Sequence, residues 1–306
     1  MKNVIKIGTR SSKLALWQAN YVKSSLESLY PGIEINLKLI KTKGDAVLDT
    51  ALSKIGDQGL FTKEIELELL SGSIDLAVHS LKDLQVDIPE GLKLATVTER
   101  GPVEDVLVAK EKGIDIFSLN DNCKIGTSSL RRAAQLLHFK PQATIADVRG
   151  NVQTRIEKLF NSDLDAIILA RAGVERLGLD KYISSIIPSE IFLPAVGQGA
   201  LGIEIAAENH KIENLVKPIN HLETCIAVTA ERAFLRSLGG GCRAPVAALA
   251  KVISGEIIME GLAASTDGKK YNRCTITSSA DNPELCGSSL AERIIAQGAD
   301  LIKDIK

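Results

Sequence analysis

The sequence predicts an α/β protein of two lobes with mainly parallel sheets, followed by a small C-terminal α+β domain with an antiparallel sheet. Three observations carry this. The order strand, helix, strand recurs twice along the chain, which implies parallel pairing with crossover helices on the sheet faces. Small-residue and proline breaks interrupt the pattern at Arg100-Gly101-Pro102 and again from Leu193 to Ala200. From about His221 short alternating segments replace the α/β grammar. A chain of 306 residues also exceeds what one hydrophobic core usually supports. The expected domains are 1–99 with 200–217 as a first lobe, 105–193 as a second, and 222–306 as a third.

In order, Val4 to Thr9 reads as a buried strand, and Ser12 begins a helix with Leu14, Trp17, Tyr21 and Val22 at helical spacing, which Pro31-Gly32 stops. Ile33, Ile35, Leu37 and Leu39 alternate as a strand, and a helix over Phe61 to Leu70 precedes a strand from Asp75 to Val78. The second lobe repeats this. Strands are expected at Val106 to Ala109, Lys124 to Gly126, Thr144 to Val148 and Ala166 to Ala170, with helices over Ser129 to Leu137 and Asn151 to Asn161. Leu201 to Ala206 is a strand assigned back to the first lobe, so that two stretches of chain connect the lobes as a hinge. A helix from His221 to Leu238, then alternating segments at Val246 to Ile253 and Glu256 to Leu262, open the third domain.

Composition excludes several classes of function. With 45% hydrophobic and 25% charged residues and a net charge of -1, the chain has neither the signature of disorder nor a bulk field for nucleic acid. Met1-Lys2-Asn3-Val4-Ile5-Lys6-Ile7 is a strand running into charge rather than a signal core, and no apolar run reaches membrane-spanning length. A cytoplasmic monomer without membrane or nucleic-acid partners is the expectation. The five cysteines are odd in number, widely spaced and without a C-x-x-C pair, so neither a disulfide framework nor a zinc ribbon fits, and no metal is expected.

Open parallel sheets bind ligands beyond the carboxyl ends of their strands. There the sequence offers Thr9-Arg10-Ser11-Ser12, then His79-Ser80-Leu81-Lys82-Asp83, Thr127-Ser128-Ser129-Leu130-Arg131-Arg132, and Arg149-Gly150-Asn151. Hydroxyls and helix N-termini make anion sites, and arginine pairs bidentately with carboxylate or phosphate. Singly, Arg10, Arg131, Arg132, Arg149 and Arg155 read as ordinary surface ion pairs; five converging on one interdomain cleft point to a ligand with several carboxylates. Arg176, after another strand-to-helix segment, is a weaker addition. No Walker-type loop or dinucleotide fingerprint favours a nucleotide.

Asp83 beside Lys82 reads either as a cap or local ion pair, or as an anion set among cations to stabilise developing positive charge or pass protons. Cys242 follows Gly239-Gly240-Gly241 and precedes Arg243, a setting that exposes the thiol and favours thiolate. Cys123, Cys225, Cys274 and Cys286 read as inert. A Cys/His hydrolytic pair using His221 or His79 lacks a nucleophile motif.

Gly44-Asp45 with Leu48-Asp49-Thr50, Val78 to Asp83, Gly126 to Arg132, Arg149-Gly150-Asn151, Pro194 to Gly199 and Gly240-Gly241-Cys242 closely resemble, in order and spacing over essentially the whole chain, the porphobilinogen deaminase (hydroxymethylbilane synthase) family. The resemblance implies two periplasmic-binding-protein-like lobes and a cofactor-carrying third domain. It implies a transferase that deaminates four porphobilinogen molecules and joins them head to tail, water releasing the linear tetrapyrrole hydroxymethylbilane in tetrapyrrole biosynthesis. The implied cofactor is a dipyrromethane in thioether linkage to Cys242. Asp83 carries over as catalytic, stabilising cationic pyrrole and azafulvene intermediates. Arg10, Ser12, Lys82, Thr127, Ser128, Ser129, Arg131, Arg132, Arg149, Arg155 and Arg176 carry over as binding the acetate and propionate groups of cofactor and substrate, with Ser80 and Gln198 lining the same cleft.

The residues from Gly44 to Gly59, with Lys54, resemble the family's lid. Asp57-Gln58 stands where a glycine and a lysine are common, and Gln85 where proline is frequent, which bears on lid charge and loop rigidity. A non-enzymatic two-lobed solute-binding module is the competing class; it would need neither Cys242 nor a third domain.

Overall fold

The computed structural model describes residues 4–43, 62–239 and 245–298. The expectations for Gly44 to Gly59, Phe61 and Gly240 to Arg243, Cys242 included, lie outside the described residues. The chain forms two compact units, Met1–Gly101 with Gly199–Cys225, and Pro102–Gln198 with Ile226–Lys306.

The first unit begins with β1 (Ile5–Thr9), α1 (Lys13–Leu29), β2 (Ile35–Leu39), α2 (Lys63–Leu70), β3 (Leu76–Ser80), a 3-10 turn over Leu81–Asp83, and β4 (Leu92–Val97). The second contains β5 (Asp105–Ala109), β6 (Lys124–Gly126), α3 (Leu130–Phe139), β7 (Thr144–Ala146), α4 (Val152–Phe160), β8 (Ala166–Ala170), α5 (Arg171–Glu175) and β9 (Ser185–Ile187). The chain then returns to the first unit with β10 (Leu201–Ala206) and α6 (His210–Val216), and α7 (Leu222–Ser237) leads to β11 (Val246–Ile253), β12 (Glu256–Ala264), β13 (Tyr271–Ser279) and α8 (Pro283–Gln297).

The first sheet has the order β2-β1-β3-β10-β4, the second β7-β6-β8-β5-β9. In each, a single strand runs against the other four: β10 is antiparallel to β3 and β4, and β5 to β8 and β9. Both are the strands entered just after the chain passes from one unit to the other. The reversal has a chemical result. The first residue of such a strand arrives beside the carboxyl ends of its parallel neighbours, so Leu201 pairs with Ser80 and Asp105 with Ala170.

Both faces of each sheet are covered, which is why the central strands β5 (Asp-Val-Leu-Val-Ala) and β8 (Ala-Ile-Ile-Leu-Ala) are nearly continuous apolar runs rather than alternating ones. Leu107, Ile125, Leu136 and Phe192 fill one side of the second sheet; Val106, Val108, Leu159 and Ile167 fill the other. The C-terminal sheet is an antiparallel meander whose β11–β12 turn places Ser254 and Gly255 at φ 52° and 81°, the positive values that a two-residue hairpin turn requires. Its inner face packs on Phe234 of α7 and Leu290 of α8.

Within the second unit the turn before β13 meets α3 at backbone distance. A Cβ on Gly268, which has φ +70°, would stand 2.5 Å from the carbonyl oxygen of Ala134. The His138 Nδ1 lies 3.1 Å from the Gly268 carbonyl oxygen, and its ring stacks on Tyr271 at 3.9 Å. Gly268→Ala is therefore expected to lower stability by about 1–3 kcal/mol through backbone strain and separation of the turn from α3. A urea midpoint equal to that of the parent would show that the close approach is dispensable.

Candidate active site

In the first unit, the carboxyl ends of β1 and β3 carry the candidate residues. β1 ends at buried Thr9, half-buried Arg10 follows, and the Ser12 hydroxyl caps α1 by accepting the Ala15 N–H at 3.2 Å. β3 ends at Ser80, whose hydroxyl accepts a 2.6 Å hydrogen bond from Gln18, a buried amide on α1 that sequence reasoning did not single out. The next turn is pinned at both ends: Leu81 is buried and donates its N–H to the Ala200 carbonyl at 3.0 Å, and buried Leu84 closes the turn onto the Leu81 carbonyl. Between these anchors Lys82 is half-buried and Asp83 exposed. The carboxylate is thus presented by a fixed backbone.

In the second unit, the loops after β6 and β7 lie side by side because these strands are paired in parallel. The Thr127 hydroxyl accepts the Ser129 N–H, the Ser128 hydroxyl donates to the Val148 carbonyl at 2.8 Å, and Ser129 and Asn151 cap α3 and α4. Arg149 pairs with Asp147 at 3.0 Å, and Arg155 donates through Nε to the Gly150 carbonyl at 2.8 Å. Burial resists the charge on Asp147, but the Ser128 hydroxyl and the Arg149 guanidinium hold its carboxyl below the usual range.

Arg131 and Arg132 are each 6% exposed and turn inward onto one carboxylate, Asp105, at 2.8 Å on each of its oxygens. Arg131 also donates to the Leu193 carbonyl and Arg132 to the Ile168 carbonyl. Gln198, expected to line the site, instead donates from buried Nε2 to Asp105 at 3.0 Å and to the Val103 carbonyl at 2.7 Å. Full burial opposes ionisation of Asp105, yet the two guanidiniums outweigh it and hold the carboxyl far below the ordinary range. Sequence reasoning missed Asp105. The available signal was an acidic residue opening an otherwise fully apolar strand, a position where an unpaired charge is prohibitive.

Arg176 follows α5 and is half-buried; its backbone N–H bonds to the Ala172 carbonyl. In the second unit, the guanidiniums of Arg131 and Arg132 face the Asp105 carboxylate, and those of Arg149 and Arg155 act on the Asp147 carboxylate. The buried Nε–H of Arg132 has no hydrogen-bond acceptor among the described residues. A ligand carrying carboxylates fits that donor set. No group of His, Cys, Asp and Glu suited to a metal occurs among the described residues.

Residues 5–214 match the family model described as porphobilinogen deaminase, dipyromethane cofactor binding domain, and residues 225–296 match porphobilinogen deaminase, C-terminal domain. The porphobilinogen deaminase of Moorella thermoacetica is 47% identical over 303 residues, covering 99% of this chain and 96% of that protein. The porphobilinogen deaminase of Syntrophomonas wolfei subsp. wolfei is 49% identical over 302 residues, covering 99% and 98%. Among solved structures, the methionine binding protein MetQ is similar with a TM-score of 0.46 and 13% identity over 72% of this chain and 89% of that one.

Proposed function

This chain belongs to the porphobilinogen deaminase family, and we propose that Asp83 is its catalytic carboxylate and Cys242 the anchor of its cofactor. The activity is that of a transferase of tetrapyrrole biosynthesis working with a dipyrromethane cofactor. The substrate is porphobilinogen, four molecules of which are deaminated and joined head to tail into hydroxymethylbilane. The observation that carries the site assignment is the gathering of the Thr127, Ser128 and Ser129 hydroxyls with Arg149 and Arg155 in the loops after the paired strands β6 and β7, since each pyrrole brings two carboxylates.

Thr127, Ser128, Ser129, Arg131, Arg132 and Lys82 are assigned to the carboxylates of the cofactor; Arg10, Ser12, Ser80, Arg149, Arg155, Arg176 and Gln198 are assigned to substrate. Gln198 fulfils this indirectly, by fixing Asp105 and thereby the two arginines. When bound, the dipyrromethane supplies the nucleophilic pyrrole end to which the next unit is joined. Asp83 faces the positive charge that develops on the substrate pyrrole as ammonia departs, and a fixed anion there stabilises the transition state. Tethering makes successive couplings intramolecular.

The same reading assigns 1–99 with 200–217 to the first lobe, 105–193 to the second and 222–306 to the cofactor-carrying domain, supported by three separate sheets. It places the enzyme in the cytoplasm, supported by Cys123, Cys225, Cys274 and Cys286 carrying no disulfide, and takes it to be a monomer. No helix among the described residues is long and apolar enough to cross a membrane.

Intact-mass measurement of protein from a host that makes porphobilinogen tests the assignment. The expected mass exceeds that of the bare chain by two pyrrole units, and Cys242→Ser removes the increment. A bare mass for the parent chain would favour the solute-binding alternative.

A further inference from the structure

We propose that Glu66 is a positioning residue for the catalytic turn: buried near His79 and Glu204 in the first unit, it acts on Asp83 through Gln85. This rests on the assignment of Asp83. Glu66, His79 and Glu204 are 5%, 7% and 0% exposed and come from α2, β3 and β10. His79 Nε2 lies 3.0 Å from Glu204 Oε2, while Glu204 Oε1 has no hydrogen-bond partner among the described residues. Glu66 interacts electrostatically with both of these side chains.

Burial pushes the Glu66 carboxyl up from its ordinary range, with the Thr62 hydroxyl, His79 and Gln85 opposing and the nearby Glu204 charge adding. Of the other strands packed on α2, β1 carries Lys6, which is exposed, and β4 carries Lys93, which pairs with Glu213 at 2.8 Å. The titration of Glu66 is therefore set by its buried neighbours.

The link to the chemistry is Gln85. Its Nε2 donates to Glu66 Oε1 and to Thr62 Oγ1, each at 3.4 Å, and it lies two residues beyond Asp83, while His79 lies four residues before it. The turn bearing Asp83 is thus bracketed in the chain by His79 and Gln85. An ionised Glu66 accepts this bond more strongly than a protonated one, so the loop is held best when Glu66 has lost its proton.

The test is kcat and KM against pH for the cofactor-loaded parent, Glu66→Gln and Gln85→Ala. Glu66→Gln, which keeps shape and an acceptor oxygen, is expected to lower kcat about 3-fold near neutrality and to flatten its acid limb; Gln85→Ala is expected to lower kcat about 10-fold with KM within about 2-fold. The two substitutions together should cost no more than Gln85→Ala alone. An acid limb that persists unshifted in Glu66→Gln, or parental kcat in Gln85→Ala, overturns the proposal. Gln85 is half-buried in a loop, so its variant decides the matter even where Glu66→Gln fails to fold. Parental turnover in Asp83→Asn would instead overturn the assignment beneath it.

Discussion

Asp83→Asn is expected to retain the two-pyrrole mass increment while turnover falls by about 100- to 1,000-fold, the usual loss when one preorganised electrostatic contact to a transition state is removed. The substitution is nearly isosteric and alters only charge. Asp83 is exposed, and the turn that carries it is held by Leu81, Leu84 and the Ala200 carbonyl rather than by the carboxylate, so the fold has no reason to respond. Two readouts separate the outcomes. Single-turnover ammonia release should slow as much as the steady state if the carboxylate acts on the bond-breaking step, whereas a rise in KM at constant kcat would assign Asp83 to binding alone. Turnover within about 3-fold of the parent would remove it from the catalytic role.

Much of this architecture was legible because burial on both faces turns central strands into apolar runs, and Ala166 to Ala170, Lys124 to Gly126 and Val246 to Ile253 start and stop where their side chains do. The strand ends were legible for a different reason: residues there are chosen for chemistry, and Ser12, Ser129 and Asn151 announce helix starts while standing among cations. What escaped notice depends on tertiary partners. β9 has only three residues and β4 follows a proline-containing loop, and they are strands because β5 and β10 offer them edges to pair with. β7 was expected to reach Val148 but stops at Ala146, since Val148 leaves the ladder to accept the Ser128 hydroxyl.

The same limit explains the buried polar groups. Nothing local in Gln18 or Glu66 distinguishes them from surface residues, and Asp105 and Glu204 stand out only as acids in apolar strands; each acquires meaning from a side chain at least 19 positions away. Arg131 and Arg132 show the converse. Their type and spacing marked the right helix start, but not that they point into the protein, where one carboxylate orders both guanidiniums before any ligand arrives. Preorganisation of that kind lowers the entropy lost on binding.

Removal of that carboxylate is the second large effect. Asp105→Asn should destabilise the second unit by about 3–5 kcal/mol at neutral pH, because two buried guanidiniums lose the carboxylate they share while keeping their desolvation cost. The pH dependence fixes the sign. The folded-state carboxyl is depressed relative to about 3.9 in the unfolded chain, so its stabilisation is complete above that value and is lost as pH falls below it toward the folded value. The gap between parent and variant in urea midpoints should therefore be wide at pH 7 and narrow steadily below about pH 4. A pH-independent gap would assign the loss to packing instead of charge. Cofactor loading should fail along with stability, and adding Arg132→Met to Asp105→Asn should restore part of the midpoint but none of the loading, since the second change removes a stranded charge together with a donor that the ligand needs.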